Sequence, residues 1–280
     1  MEEFIMGAEH IQRYKVHLLE EERSQLTIEK YLRDVTTFFN ACGSIPIRRE
    51  LVIAYKAQLA ARYAPASVNS MLAALNGFFE FCGCPNFRVK PLKIQKQLFA
   101  SEGKALSEKE YKKLVMAARG NGNHRLCLIM QTICSTGIRV SELRHITLEA
   151  VRAGRAEVAC KGKRRTILLR PELRQLLRRY AREQNITGGC LFLSRKGNPL
   201  NRHKVWAEMK ALCRTAGVDA AKVFPHNLRH LFARTFYALK RDLGRLADVL
   251  GHSNINTTRI YTMEYGCEHM RLLQKMPLLI

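Results

Sequence analysis

The sequence has no run of about 18 apolar residues, so no membrane-spanning helix is expected. Its opening stretch, MEEFIMGAEH, is acidic and lacks the apolar core of a secretory signal. The nine cysteines are odd in number and mostly lie inside apolar runs, as Cys127, Cys134, Cys160 and Cys213 do. Cys82 and Cys84 are one residue apart, and no second pair stands at zinc-ligand spacing. Reduced thiols in a cytoplasmic protein, with no metal site, are the expectation. Acid is also scarce: 24 Asp and Glu face 47 Lys and Arg, a net charge of +23. The shortage is local. Residues 1–100 carry 13 basic and 10 acidic side chains, whereas residues 101–280 carry 34 and 14. Such an excess on one segment points to a polyanion, most simply nucleic acid. A membrane surface fits less well, because no basic amphipathic helix stands apart from the globular pattern. At 280 residues the chain can build one large or two ordinary domains, each with its own core.

Residues 1–85 read as a helical unit. Thr27 is placed to cap a helix whose apolar face holds Ile28, Tyr31, Leu32, Val35, Phe38 and Phe39, ending at Gly43 and Pro46. A second helix is expected over 49–63, broken by Pro65. A third starts near Ser67, with Val68, Met71, Leu72, Leu75, Phe78 and Phe79 on one side. With the segment from Ile11 to Leu19 these make a four-helix bundle, which suits either oligomerisation or a clamp on DNA. Residues 86–104 contain five basic residues, among them Lys90, Lys93 and Lys96, and no sustained period. They read as a basic linker able to lie along a phosphate backbone.

Residues 105–280 form the second unit. Ser107 and Glu110 have capping-box spacing ahead of Tyr111, Leu114 and Val115. A strongly apolar helix follows over 124–135, interrupted by Thr136-Gly137, and a short helix is expected over 140–145. Arg139 sits at that junction, where packing alone would not choose a charge; it can pair with Glu142 three residues on. Residues 155–169, RAEVACKGKRRTILL, alternate around a Lys-Gly-Lys-Arg turn and predict a β-hairpin whose tip presents Lys161, Lys163, Arg164 and Arg165, as a solvated tip or toward a DNA groove. Helices are expected over 172–184 and 203–216, with Leu191-Phe192-Leu193 extended between them. The tail from Cys267 to Ile280 is apolar on one side and either packs at home or docks on a neighbour.

The most informative stretch is 224–265. A helix after Pro225 places His226 and Arg229 on one face and buries Leu228, Leu231, Phe232, Thr235, Phe236 and Leu239 on another. DLGRLADVLG reads as a shorter helix stopped by Gly251, with His252 in the turn, and Asn254 or Asn256 caps a short helix ending near Tyr261. Two imidazoles, a guanidinium and a phenol on adjacent elements suit attack of a tyrosine on a phosphodiester. A phenol with a solution pKa near 10 needs a base or a strongly positive pocket. Arginine forks match the charge that develops on the phosphoryl oxygens, and a lysine at a hairpin tip can protonate the leaving 5′ oxygen. No metal or ATP is required.

In this order the groups resemble the tyrosine recombinase (integrase) family, in particular its short Xer-like members. The matching stretches are TGIRVSEL with Arg139 and Glu142, CKGKRRTILL with Lys161, HNLRH with His226 and Arg229, LGHSNINTT with His252, and TRIY with Tyr261. The resemblance implies a mainly α fold with a small antiparallel β-sheet: a SAM-like core-binding helical bundle followed by an α+β catalytic domain. It implies that Tyr261 forms a 3′-phosphotyrosine, that Arg139 and Arg229 clamp the phosphate, and that Lys161 is the general acid, with Lys163 as the alternative. His226 would take and return the tyrosine proton, His252 would bond the phosphate, and Glu142 would support the site. His230 would pack beside it or serve as a core histidine. Leu231 stands where the family often has Ser or Thr. The bundle begins almost at once, which resembles recombinases that read a core site rather than phage-type integrases that also bind arm sites. The implied partners are double-stranded DNA and three further copies of the chain, four protomers on two duplexes exchanging strands through a Holliday junction and joined by the C-terminal tail. An accessory protein is left open, as are integration, inversion or resolution. The alternatives are a type IB topoisomerase-like nicking and resealing enzyme, and a non-catalytic DNA-binding protein on a degenerate recombinase; every catalytic position being filled weighs against the latter.

Overall fold

The computed structural model describes residues 4–43, 45–94, 105–160, 163–194, 196–252, 254–261 and 274. It divides into two compact units, Met1–Lys96 and Gln97–Ile280. The first holds α1 (Ala8–Glu20), α2 (Gln25–Cys42), α3 (Arg49–Arg62) and α4 (Pro65–Phe81). Their apolar stripes meet in one core containing Tyr14, Ile28, Val35, Phe38, Val52, Leu59, Val68, Leu72, Phe78 and Phe79. Phe38 and Phe79 meet edge to face, 5.9 Å between centroids. The cap of α2 is Ser24 rather than Thr27; the Ser24 hydroxyl accepts from the Thr27 amide, so Thr27 lies one turn inside. Pro65 acts as the first residue of α4 rather than as the breaker of α3, which already ends at Arg62 with Tyr63 as its C-cap.

The stretch read as the start of a linker is part of this unit through Leu92. Pro85–Phe87 make a 3₁₀ turn, and Phe87 and Val89 are buried in the helical core. Two asparagines one side of α4 hold the chain beyond: Asn76 exchanges a pair of hydrogen bonds with the backbone of Val89, and Asn69 does the same with Leu92. Each amide imitates a strand neighbour, a pairing that no apolar period announces. Lys90 and Lys93 remain exposed, and Lys96 lies outside the described residues.

The second unit runs α5 (Glu108–Gly120), α6 (His124–Thr136), a 3₁₀ turn over Val140–His145, and α7 (Leu148–Ala153). The hairpin β1 (Arg155–Cys160) and β2 (Lys163–Leu168) follows, then α8 (Pro171–Glu183), α9 (Arg202–Ala211) and α10 (Cys213–Ala216). The last elements among the described residues are α11 (Pro225–Lys240), α12 (Leu243–Leu250) and α13 (Ile255–Arg259). The strands are antiparallel, with Arg155 opposite Leu168 and Cys160 opposite Lys163. Ala156, Val158 and Ile167 face the core. The single helix expected over 203–216 is two helices that meet at Leu212. The expected capping box is made: Ser107 and Glu110 bond each other's backbone amides.

The central element is α6, where Leu126, Cys127, Leu128, Ile129, Met130, Thr132, Ile133 and Thr136 are all buried. The two buried threonines donate to carbonyls one turn back, Thr132 to Leu128 at 2.7 Å and Thr136 to Thr132 at 2.6 Å, so neither hydroxyl is stranded. The helix stops at Gly137, whose φ is +67°. A Cβ there would stand 2.4 Å from the Phe232 ring, so both the conformation and the contact with α11 require glycine. This stop turns the chain outward at Arg139.

Candidate active site

Arg139 caps the 3₁₀ turn that follows, and the turn folds Glu142 back on it. The Glu142 carboxylate accepts from the Arg139 amide at 2.7 Å and from its guanidinium at 3.0 Å. Only 4% of Glu142 is exposed. Burial pushes its pKa up, but the Arg139 amide and the charges of Arg165 and Arg139 outweigh it, holding the carboxyl below its ordinary range.

Arg229 comes from the second turn of α11 and is 2% exposed. Its guanidinium donates to the Gly137 carbonyl at 2.6 Å and to the Leu250 carbonyl at 2.8 Å, so it spans the ends of α6 and α12. These carbonyls satisfy its donors without neutralising its charge. Burial and Arg139 lower its pKa to about 10, while the Tyr261 hydroxyl beside it raises it. The guanidinium stays cationic at neutral pH.

His252 follows the stop of α12 at Gly251, where φ is +66°. Its Nε2 lies 2.9 Å from Arg229 Nη2, and its Nδ1 lies 2.9 Å from the Thr258 hydroxyl. Arginine can only donate, so Nε2 is the acceptor and the ring is the neutral Nδ1–H tautomer, donating to Thr258. Burial and the charges of Arg229, Arg139 and Arg165 lower the His252 pKa to about 4, in keeping with that tautomer. Thr258 is itself fully buried. Asn254, not Asn256, caps α13 and so delivers Thr258 and Tyr261 to the pocket.

Tyr261 is 4% exposed. Its ring is stacked on His252 at 5.8 Å, lies 6.2 Å from His226, and meets His230 edge-on at 4.3 Å. On its other side it joins Ala233, Leu246 and Leu250. His226 stands at the exposed start of α11, perpendicular to His230 at 4.7 Å. Packing on one side of the ring, then Arg229 and Arg139, lower the His226 pKa. Leu231 is buried, as expected of a core position.

The pocket thus gathers Arg139, His226, Arg229, His252 and Tyr261, with Glu142 behind them. Three guanidinia, of Arg139, Arg165 and Arg229, face one carboxylate, and the histidines are neutral, so the site is short of an anion. Among the described residues no cluster of His, Cys, Asp or Glu could hold a metal ion, and no helix is long and apolar enough to cross a membrane. Arg164 is exposed on the hairpin. Arg165, expected to face DNA, instead turns inward to Glu142, because a buried carboxylate is a better partner than water for a guanidinium within reach. Lys161 lies outside the described residues, as do the side chain of Lys163 and the tail over 267–273 and 275–280. Thr258, the inward turn of Arg165 and the two carbonyls on Arg229 escaped the sequence reading. Only Thr258, one helical turn before Tyr261, leaves a spacing signal.

Comparison with known proteins agrees over most of the chain. Residues 104–266 match the phage integrase family, and residues 11–82 match its N-terminal SAM-like domain. Tyrosine recombinase XerA of Pyrococcus furiosus is 31% identical over 273 residues, which is 94% of this chain and 92% of the relative. Two solved structures share the fold. One is XerH site-specific recombinase bound to difH substrate in a pre-cleavage complex, with a TM-score of 0.70 at 21% identity, covering 91% of this chain and 80% of that one. The other is a lambda integrase tetramer bound to a Holliday junction, with a TM-score of 0.73 at 18% identity, covering 92% and 78%. With a bundle of the SAM-like kind, a mainly helical second unit and the pocket described above, the chain belongs to the phage integrase family of tyrosine recombinases.

Proposed function

We propose that this chain is a site-specific DNA recombinase whose Tyr261 attacks the scissile phosphodiester. The phenolic oxygen forms a bond to phosphorus and the bond to the 5′ oxygen breaks, leaving a 3′-phosphotyrosine. The reverse attack by another 5′ hydroxyl reseals the strand. Arg139 and Arg229 hold the non-bridging oxygens; preorganised donors of this kind each lower such a barrier by roughly 3–4 kcal/mol. His226, kept neutral beside the two arginines, accepts the phenolic proton and returns it. His252 completes the phosphate site, Glu142 orients Arg139, and Lys161 protonates the 5′ oxygen.

The observation that carries this reading is the excess of positive charge beside the Tyr261 ring, brought by Arg139, Arg165 and the buried Arg229 from three separate stretches of the chain. A pocket that keeps a guanidinium charged with carbonyls rather than carboxylates is built for an anion that arrives later. The basic residues Lys90, Lys93, Lys96, Lys163 and Arg164 are assigned to the DNA backbone. Four protomers on two duplexes, joined by the C-terminal tail, form the working assembly, in the cytoplasm. The relatives named above are recombinases, and the topoisomerase-like reading draws no support from them.

The test is a nicked suicide substrate carrying the chain's own site. Wild-type protein accumulates a covalent DNA adduct, and Tyr261→Phe binds equally well and forms none. Adduct at wild-type yield in Tyr261→Phe would move the nucleophile elsewhere.

A further inference from the structure

Arg165 has no part in the reaction as proposed, yet among the described side chains of the hairpin it is the one that bonds to two other stretches of the chain. Its Nη2 donates to Glu142 Oε2 at 2.5 Å, and its Nη1 donates to the Val249 carbonyl near the end of α12. Only 13% of the side chain is exposed, and Nε is buried without a protein partner. It sits opposite Val158 in the ladder, so its backbone is held by the core-facing β1. On the far side it lies against Gly251: a Cβ there would stand 2.5 Å from Arg165 Cδ. One guanidinium therefore links three stretches: the hairpin, the turn that presents Arg139, and the helix end that leads directly into His252.

The charges explain why this link matters. Glu142 takes the Arg139 guanidinium on Oε1, and on Oε2 both the Arg139 amide and the Arg165 guanidinium. Without Arg165, Oε2 would keep only the Arg139 amide, and the carboxylate charge that Arg165 now balances would draw the Arg139 guanidinium inward. Without the bond to Val249, the stop of α12 would lose a restraint two residues before Gly251 and three before His252.

We propose that Arg165 is a positioning residue for phosphate capture: it fixes the separation between the Arg139 side and the His252 side of the pocket, and it does not contact DNA. This rests on the recombinase reading above. It assigns the hairpin an internal role beyond carrying a basic tip.

The test compares Arg165→Met and Arg165→Lys with wild type in single-turnover cleavage at saturating DNA, with affinity measured separately across a salt series. For Arg165→Met the expected result is a cleavage rate about 100-fold lower, affinity within twofold, and an unchanged slope of log K against log salt. Arg165→Lys keeps a charge but cannot bond Glu142 and Val249 together, and should fall between the two. Arg165→Met combined with Arg139→Met should cost far less than the product of the single effects, because both act on one guanidinium. On a substrate with a neutral methylphosphonate at the scissile position, which needs no charge clamp, the Arg165→Met defect should shrink. A fall in affinity with a salt slope shallower by about one phosphate would show that Arg165 contacts DNA, and would overturn the inference. So would additivity with Arg139→Met, or a defect of equal size on the neutral substrate. Should Arg165→Met fail to fold, wild-type cleavage by Arg165→Lys would overturn it equally. If wild-type protein itself forms no adduct, the recombinase reading fails first.

Discussion

Arg229 and His252, 23 residues apart in the chain, share a hydrogen bond of 2.9 Å in which the imidazole is the acceptor. That direction fixes the tautomer of His252 and commits its other nitrogen to Thr258. A histidine held this way cannot donate to a phosphate from Nε2 until the arginine releases it. These groups therefore satisfy one another, and a phosphate entering the pocket would compete for the same donors. Thr258→Val should leave the ring without its acceptor; the expected cost is about 1–3 kcal/mol of stability, with cleavage slowed and DNA affinity kept. Chemical denaturation and single-turnover cleavage measure the two effects.

The histidines also set a pH dependence of stability. Burial, with His226 nearby, lowers the His230 pKa from 6.5 to about 4, and burial beside Arg229 does the same for His252. Between those values the unfolded chain binds more protons than the folded one. Stability is complete above about pH 6.5 and falls as pH drops toward 4. The urea midpoint should decline across that interval, and less steeply in His230→Phe, where one such group is gone. An unchanged difference between pH 7 and pH 5 in that variant would contradict the assignment.

His230 should matter for the nucleophile as well. Its ring meets Tyr261 edge to face at 4.3 Å. Removing it in His230→Ala should slow cleavage by roughly two- to tenfold, in line with the 0.5–1.5 kcal/mol of such a contact. His230→Phe, which restores a ring, should recover most of the rate.

Gly137→Ala is expected to be among the most damaging small substitutions. It combines a φ of +67° with a Cβ 2.4 Å from the Phe232 ring. The strain alone is worth about 1–3 kcal/mol. Because the Gly137 carbonyl accepts from Arg229, covalent adduct yield should fall with stability, not after it.

If Tyr261 attacks from the position beside Arg229 and His252 of its own chain, cleavage is in cis. Mixing Tyr261→Phe with Arg229→Ala protein should then yield no adduct on a suicide substrate. Adduct above the level of either variant alone would indicate donation of the tyrosine between protomers.

Much of this site was legible in the sequence for specific reasons. Gly251 and Pro225 punctuate helices by backbone rules that act locally, so the placement of His226, Arg229 and His252 on adjacent elements could be read from spacing. The apolar period of α6 announced its burial, and the Thr-Gly stop announced a turn before Arg139. The bounds of α2 and α4 slipped because Ser24 and Pro65 compete with equally plausible residues a few positions on. The attachment of Val89 and Leu92 to α4 depends on two asparagine side chains bonding backbone, which carries no periodic signal.

By itself the sequence determined the helical character of both units, the concentration of positive charge after residue 100, and the set of groups able to do phosphoryl chemistry. These follow from spacing and composition, which act along the chain. Only the tertiary structure decided that Arg165 points inward, that His252 is an Nδ1–H tautomer, and that Tyr261 is wedged between three imidazoles. Those outcomes depend on which donor reaches which acceptor across dozens of residues, and in a dry pocket an unpaired polar group costs enough to choose among them.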